Sequence, residues 1–390
     1  MVRGATHVAG EMIGSMKRVL TAAALCVAAT FLSAASAASA KPGDVLTTQP
    51  VRAPAGAHGW RISYLSTGLD GVTRPVTGLV YAPDAPAPAG GRPVVAWAHP
   101  TTGVAESCAP SLHLTGFGLV PHLETLLANG YVVASTDYPG LGSIGTHPYL
   151  VGVSEARAVL DAVRAARTMR TGANAHFVVW GHSQGGQAAL FTGQIAATYA
   201  PELTIEGVAA VAPATDLLTL MKDDISERGG RILGSYAVWS WTRVYGLPIS
   251  QVVKPNAVWI VNRVARECVQ STFEAIGVLI NSALLRQSFI DSKVYTDPAW
   301  RAHFIANTPS AMPASIPLMV VQGRNDVTVR PAVTRQYAAR ACARGQKVTY
   351  DSIPGGHLGA ADVSATTVIG WIGRRFGHAA QVDDCASLGA

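Results

Sequence analysis

The apolar residues of this chain follow two rhythms, separated by a long stretch with neither. In the first, Trp60, Ile62 and Tyr64 alternate with Arg61 and Ser63, the period-2 pattern of a half-buried strand. Residues 76–82, "VTGLVYA", read as its antiparallel partner, and the Pro/Ala/Gly run 82–93 is a loop. In the second rhythm, short continuous apolar runs alternate with helical spacing. "PVVAWAH" (93–99), "YVVAST" (131–136), "HFVVW" (176–180) and "IEGVAAVA" (205–212) read as buried strands. Helices are predicted at 120–129, from about Ser154 to Met169, and at 184–199. In the second of these, Ala156, Val159, Leu160, Val163 and Ala166 share one face, and Ser154 is placed to cap it.

From 217 to 312 the alternation stops. The segment holds helix-like pieces and several aromatics, among them Tyr236, Trp239, Trp241, Tyr245 and Trp259. The strand–helix rhythm resumes with "IPLMVVQG" (316–323), a helix near 331–343, "KVTYDSI" (347–353) and a last helix near 361–376. The expectation is one α/β domain: a mostly parallel central sheet with helices on both faces, interrupted by an inserted helical cap at about 217–312.

Composition narrows the class. Of 390 residues, 49% are hydrophobic and 14% charged, which supports a large core and excludes disorder over most of the chain. The N-terminus, "MKRVLTAAALCVAATFLSAASAASA", runs from Lys17-Arg18 through an apolar stretch to small residues, the pattern of a secretory signal peptide. Residues 1–40 are therefore read as a leader cut after Ala38-Ser39-Ala40, or earlier after Ala35-Ser36-Ala37, with Met16 as an alternative start. Arg3, Lys17, Arg18 and Glu11 give the leader a net +2, leaving +4 of the total +6 for the mature chain. With no Lys/Arg-rich block, nucleic acid is a poor partner. No later run is long enough to span a membrane, so the mature protein is expected to be exported. Without Cys26 of the leader, Cys108, Cys268, Cys342 and Cys385 remain, an even set that suggests two disulfides and allows three pairings. They lack zinc-site spacing.

The chemistry centres on "VVWGHSQGGQ" (178–187), a Gly-x-Ser-x-Gly that directly follows a buried-type strand and opens an apolar helix. That context is the nucleophile elbow, a sharp strand-to-helix turn that presents Ser183 above the sheet. Gly181 and Gly185 are read as positions where the turn leaves no room for a Cβ. The adjacent His182 points elsewhere along an extended backbone and is read as a bystander. The chain order Ser, acid, His leaves His303, His357 and His378 after the nucleophile. His303 lies in the insertion and His378 beyond the last helix. His357, in the glycine-rich "IPGGHLGA" after a strand, is the expected base. Asp326, at the end of the preceding strand, is the expected acid, ahead of Asp351 and Asp362. The oxyanion hole is expected from the backbone N–H of Gln184 and of Thr101, with Thr102 as second choice, on the loop after the 93–99 strand. Such chemistry calls for no metal and no organic cofactor.

"GHSQGGQAAL", "STDYPGLG" (135–142), "CAPS" (108–111) and "HPYLVGVSEARAVLDAVRAA" (147–166) together resemble the secretory lipase family, the lipase A type within the α/β-hydrolase superfamily, from about residue 45 to 385. The resemblance implies a serine triad, a helical cap, and hydrolysis of carboxylic esters, acylglycerols among them, at times at a lipid–water interface. It also implies the pairs Cys108–Cys268, joining the oxyanion loop to the cap, and Cys342–Cys385, tying down the C-terminus. One departure stands out. Fungal members carry an acidic residue in the oxyanion segment, where this chain reads His99-Pro100-Thr101-Thr102-Gly103. Asp137 and Tyr138 are read either as organisers of the pocket floor or as a structural turn. The expected function is a secreted lipase or carboxylesterase; an acyltransferase or peptidase with the same triad is the alternative.

Overall fold

The computed structural model of the chain describes residues 40–113, 119–270, 282–286 and 289–389. Apart from Ala40, the expected leader lies outside them. Three N-terminal strands, β1 (Val45–Val51), β2 (Ala57–Thr67) and β3 (Thr73–Pro83), form an antiparallel ladder. Six more are β4 (Arg92–Ala98), β5 (Val132–Thr136), β6 (Ala173–His182), β7 (Thr204–Val211), β8 (Leu318–Gly323) and β9 (Val348–Ile353). One sheet contains all nine in the order β1-β2-β3-β5-β4-β6-β7-β8-β9. β3 meets β5 antiparallel, and every pair from β5 to β9 is parallel. β1 is the strand the hydrophobic pattern does not predict. It lies at an edge with most residues exposed, so its sequence, VLTTQPV, has no apolar alternation to show.

Both faces of the parallel part are buried, which is why its strands read as continuous apolar runs. Val94, Ala96, Phe177, Val179, Val208, Leu318 and Val320 point to one face; Val95, Trp97, Val178, Trp180, Ala209, Met319 and Val321 point to the other. The first face is covered by α2 (Gly152–Thr168), α3 (Gln184–Tyr199) and α9 (Pro331–Ala343). The second is covered by α1 (Leu123–Ala128) and α10 (Ala360–Phe376). The alanine-rich sequence of α2 lets it lie close to the sheet: Ala158, Ala162, Ala165 and Ala166 are all buried.

The start of α2 differs from the sequence reading. The helix begins at Gly152, Ser154 sits inside its first turn, and no side chain caps Val151. The fastening comes from Glu155 instead, whose Oε1 accepts the Leu150 N–H at 3.0 Å. A buried carboxyl reaching back to the entry loop does the work assigned to the serine.

Between β7 and β8 the described residues form α4 (Leu217–Asp224), α5 (Arg228–Val244), α6 (Val258–Val264), α7 (Lys293–Thr296) and α8 (Pro298–Ala306). They share an apolar cluster around Tyr236, Trp241, Val261, Trp300 and Phe304, which Val104, Tyr149, Val151, Val329 and Val333 join from outside the segment. α5 is stitched to the loop before α2: Trp241 Nε1 donates to Tyr149 O at 2.9 Å, and Ser240 Oγ donates to His147 O at 2.6 Å.

The disulfides are Cys108–Cys268 and Cys342–Cys385, the pairs implied by the resemblance. After α10 the chain runs back along β9: Asp384 N donates to Val348 O at 2.8 Å, and Tyr350 N donates to Asp384 Oδ2 at 2.9 Å. A short helix, α11 (Cys385–Leu388), follows, anchored on α9 by the second disulfide.

Closing a loop of 43 residues removes much of the unfolded chain's freedom. Replacing Cys342 and Cys385 together by Ser is expected to lower stability by about 2–4 kcal/mol. Denaturant melts of variant and parent under non-reducing conditions measure it; coincident midpoints would refute a stabilising role for the bridge.

Candidate active site

The order β5-β4-β6 sends the connection after β4 to one side of the sheet and that after β6 to the other. A crevice opens at the strand ends where such connections diverge. Ser183 follows β6 directly, in that crevice, and residues 99–103 follow β4 beside it. Ser183 takes φ 57° and ψ −116°, a conformation that side chains rarely adopt. It is held there by its N–H to Val211 O at 2.9 Å and by Gln187 N to its own carbonyl at 3.1 Å. The turn is as tight as the motif suggests. A Cβ on Gly181 would lie 2.0 Å from Gly185 O, and one on Gly185 would lie 1.8 Å from Ala98 O.

His357, in the loop between β9 and α10, brings Nε2 to 2.8 Å from Ser183 Oγ. Its Nδ1 stands 2.7 Å from Asp326 Oδ2. Asp326 follows β8 and is buried. Its other oxygen accepts the N–H groups of Thr328 at 2.9 Å and Val329 at 2.8 Å, and Gln322 Nε2 donates to Oδ2 at 3.1 Å. Burial alone would raise its pKa. The hydrogen bond and charge of His357, with the two backbone donors, outweigh burial and hold it below the ordinary carboxylate value. An ionised Asp326 accepts from Nδ1–H, which leaves Nε2 as the acceptor facing the serine hydroxyl. The structure thus brings together the three side chains that sequence order singled out from separate strand ends.

His182 lies beside this line and not in it. Its ring centroid is 5.0 Å from that of His357. Burial, and then the neighbouring His357, push its pKa down to about 3, so it stays neutral. His303 stacks on Tyr245 instead, and His378 faces Glu206.

Gln184 does more than the sequence suggests. Its N–H opens α3, but its side chain is clamped as well: Nε2 donates to Glu155 Oε1 at 2.7 Å and to His147 Nε2 at 3.1 Å. Burial raises Glu155 to about 8 against the bonds from Gln184 and Leu150. Burial lowers His147 to about 3, with its Nδ1 donating to Pro139 O at 3.0 Å. The residue after Ser183 is therefore set by two uncharged buried groups. Neither was legible: Glu155 falls on the apolar side of a helix, and His147 in a loop, with no local motif to mark them.

Thr101 lies just beyond the Ala98 and His99 carbonyls that press on the elbow, and its Oγ1 is 2.9 Å from Tyr149 Oη. Thr102 is buried, and its carbonyl accepts Val269 N–H at 2.9 Å, next to the Cys268 disulfide. Asp137 and Tyr138 are buried in the turn. Thr77 Oγ1 donates to Asp137 at 2.6 Å, Ser111 N donates to it at 2.9 Å, and Tyr138 Oη donates to His99 O at 3.1 Å. That is the structural turn of the two readings, fastening residues 99–111 to β3 and β5.

A cavity of about 70 Å³ opens at Ser183 and Gln184, walled mainly by apolar side chains of α4, α5 and α8, including Leu217, Trp241 and Phe304. Of the five aromatics singled out in the sequence, Trp241 is in its wall. Tyr236 is packed in the helical cluster with its hydroxyl on Glu267 O, and Trp259 is more than half exposed.

The family model for secretory lipases matches residues 119–384. A secreted triacylglycerol lipase of Malassezia globosa is 24% identical, over 87% of this chain and 76% of its own. A probable inactive lipase of Mycobacterium tuberculosis is 24% identical, over 86% of this chain and 79% of its own. Among solved structures, Candida antarctica lipase A in its closed state superposes with a TM-score of 0.73 at 17% identity, covering 88% of this chain and 84% of that one. The rice cell wall degrading esterase LipA of Xanthomonas oryzae gives 0.68 at 23% identity, covering 84% and 95%. At these identities the structures establish the fold, that of the α/β-hydrolases.

Glu155 predicts a pH signature. Folded, it keeps its proton up to about pH 8; unfolded, it loses it near 4.5. Its contribution is complete below the unfolded value and is lost as pH rises through the folded one. Thermal melts between about pH 5 and pH 8 are expected to fall more steeply for the parent than for Glu155→Gln, which does not titrate. Parallel slopes would rule out a buried protonated carboxyl.

Proposed function

The chain belongs to the secretory lipase family, and from that premise we propose that it is an exported serine esterase working through Ser183, His357 and Asp326 by way of an acyl-enzyme. That it is a carboxylic ester hydrolase follows from the family. The observation that carries the finer reading is the continuous line of hydrogen bonds, Ser183 Oγ to His357 Nε2 at 2.8 Å and Nδ1 to Asp326 at 2.7 Å.

In this mechanism Ser183 Oγ attacks the ester carbonyl while His357 Nε2 takes its proton. Asp326 holds the imidazole in the tautomer that can do so and stabilises the cation that forms. The oxyanion rests on the N–H of Gln184, at the positive end of α3, and on that of Thr101. The Gln184 clamp supports the first of these by fixing the residue whose amide must point at the developing charge. His357 then protonates the leaving alcohol, and water repeats the sequence on the acyl-enzyme.

The substrate in this reading is an apolar acyl ester. The apolar wall above Ser183 supports it, as does the relative named a triacylglycerol lipase. The helical segment at about 217–312 acts as a cap that supplies most of that wall. Residues 1–40 serve as the export signal, and the two disulfides fit an oxidising destination.

Purified protein is expected to cleave p-nitrophenyl butyrate and emulsified tributyrin. Ser183→Ala should lower kcat by a factor on the order of 10⁴–10⁶ with folding intact, and Asp326→Asn by about 10⁴. Since one relative bears the name of an inactive lipase, the parent is the decisive sample. Absence of turnover by folded parent protein on both substrates, or full activity of Ser183→Ala, would end this reading.

A further inference from the structure

The cavity above Ser183 is mainly apolar, its neutral polar members being Tyr149, Ser183, Gln184 and Thr328. Among the described residues, Asp224 is the one carboxylic acid in its wall, and it is 93% buried at 7% exposure. Its Oδ1 is fully covered and accepts no hydrogen bond. The nearest cation, Arg330 Nε, stands 3.8 Å away, beyond hydrogen-bond reach. Arg330 is nearly half exposed and divides itself between Asp223 and Asp224, so solvent screens what attraction remains. Asp224 is also the last residue of α4, where the helix's own partial charge is negative and disfavours a carboxylate.

This placement is built, not incidental. A Cβ at Gly230 would lie 2.0 Å from Asp224 O and 2.5 Å from Asp224 Cβ. Glycine at that point lets the end of α4 press into α5 and carries the acid into the cavity wall. Burial first, with Asp223, Asp326 and Glu227 nearby and Arg330 opposing, raises Asp224 to about 7. A buried carboxyl with so little compensation disfavours the empty state, and a ligand that brings a donor to the carboxyl relieves it.

Which half of an ester reaches Asp224 follows from the walls. Ser183 and Gln184 line this cavity; among the described residues His357 does not. The leaving alcohol must face His357 to be protonated, so it lies on the other side of the serine, and this cavity takes the acyl half. We propose that Asp224 is a specificity determinant that selects acyl groups carrying a hydroxyl on their chain, the hydroxyl donating to the Asp224 carboxyl. The substrate class is the ester of a hydroxylated fatty acid. A neutral hydroxyl fits better than an ammonium, which would lose its hydration among apolar side chains. The inference rests on Ser183 being the nucleophile.

The test is a set of p-nitrophenyl alkanoates of rising chain length, each with its ω-hydroxy and ω-amino analogue, assayed by kcat/KM on the full chain. At one chain length the hydroxy ester is expected to exceed the plain ester by about tenfold or more. Asp224→Leu should invert the ratio by raising the plain ester and lowering the hydroxy ester, while Asp224→Asn, which keeps an acceptor, should retain the preference. Plain and hydroxy esters cleaved equally by the parent at every length would overturn the proposal, even if the variants fail to fold. A larger gain for the amino analogue would also overturn it, by making the site a cation site. Failure to cleave any ester would instead strike the esterase reading itself.

Discussion

One close approach governs the site. The carbonyls of Ala98 and His99, at the end of β4, stand where a side chain at position 185 would have to be. Because Gly185 has none, the first turn of α3 sits against the neighbouring strand, and Ser183 is left with no conformation but the strained one it adopts. The same contact sets residues 99–103 beside Ser183, since that loop begins where those carbonyls end. A single missing Cβ thus fixes the relation between two segments more than 80 positions apart (98 and 183 in the chain).

Around this contact the protein works with neutral groups wherever it can. His182, His147 and Glu155 all sit within the buried surround of the elbow, and burial drives each toward its uncharged form. Asp326 is the exception: two backbone N–H groups and His357 surround its carboxylate and outweigh burial. One ionised carboxylate among neutral polar neighbours concentrates the local field on His357, the group that gains a proton in the proposed reaction.

Legibility followed sequence distance and burial. β4 to β9 could be read because strands buried on both faces are continuous apolar runs, and the elbow because its glycines, serine and following helix are contiguous. Asp326 and His357 came from chain order, since each follows a strand of the same sheet. What escaped depended on contacts between distant, locally unremarkable residues. β1 is polar because it is an edge. Ser154 reads as a cap because its neighbourhood matches one, yet Glu155 reaches back to Leu150 instead. The clamp on Gln184 joins residues 147, 155 and 184, and no spacing rule links them. Of the aromatics in the helical segment, Trp241 alone of the five faces the cavity, because amphipathic spacing says which face is buried but not against what.

The two ends of the sheet share a property that bears on self-association. β1 closes one edge with exposed threonines, a glutamine and Pro50, which has no N–H to offer. At the other edge the chain after α10 lies along β9 and takes up two of its backbone groups, Val348 O and Tyr350 N, and Cys342–Cys385 holds it there. A nine-stranded sheet with bare apolar margins would recruit copies of itself. Here one margin is a poor template and the other is partly covered, so the covalent tie at the C-terminus also guards against strand-by-strand self-association.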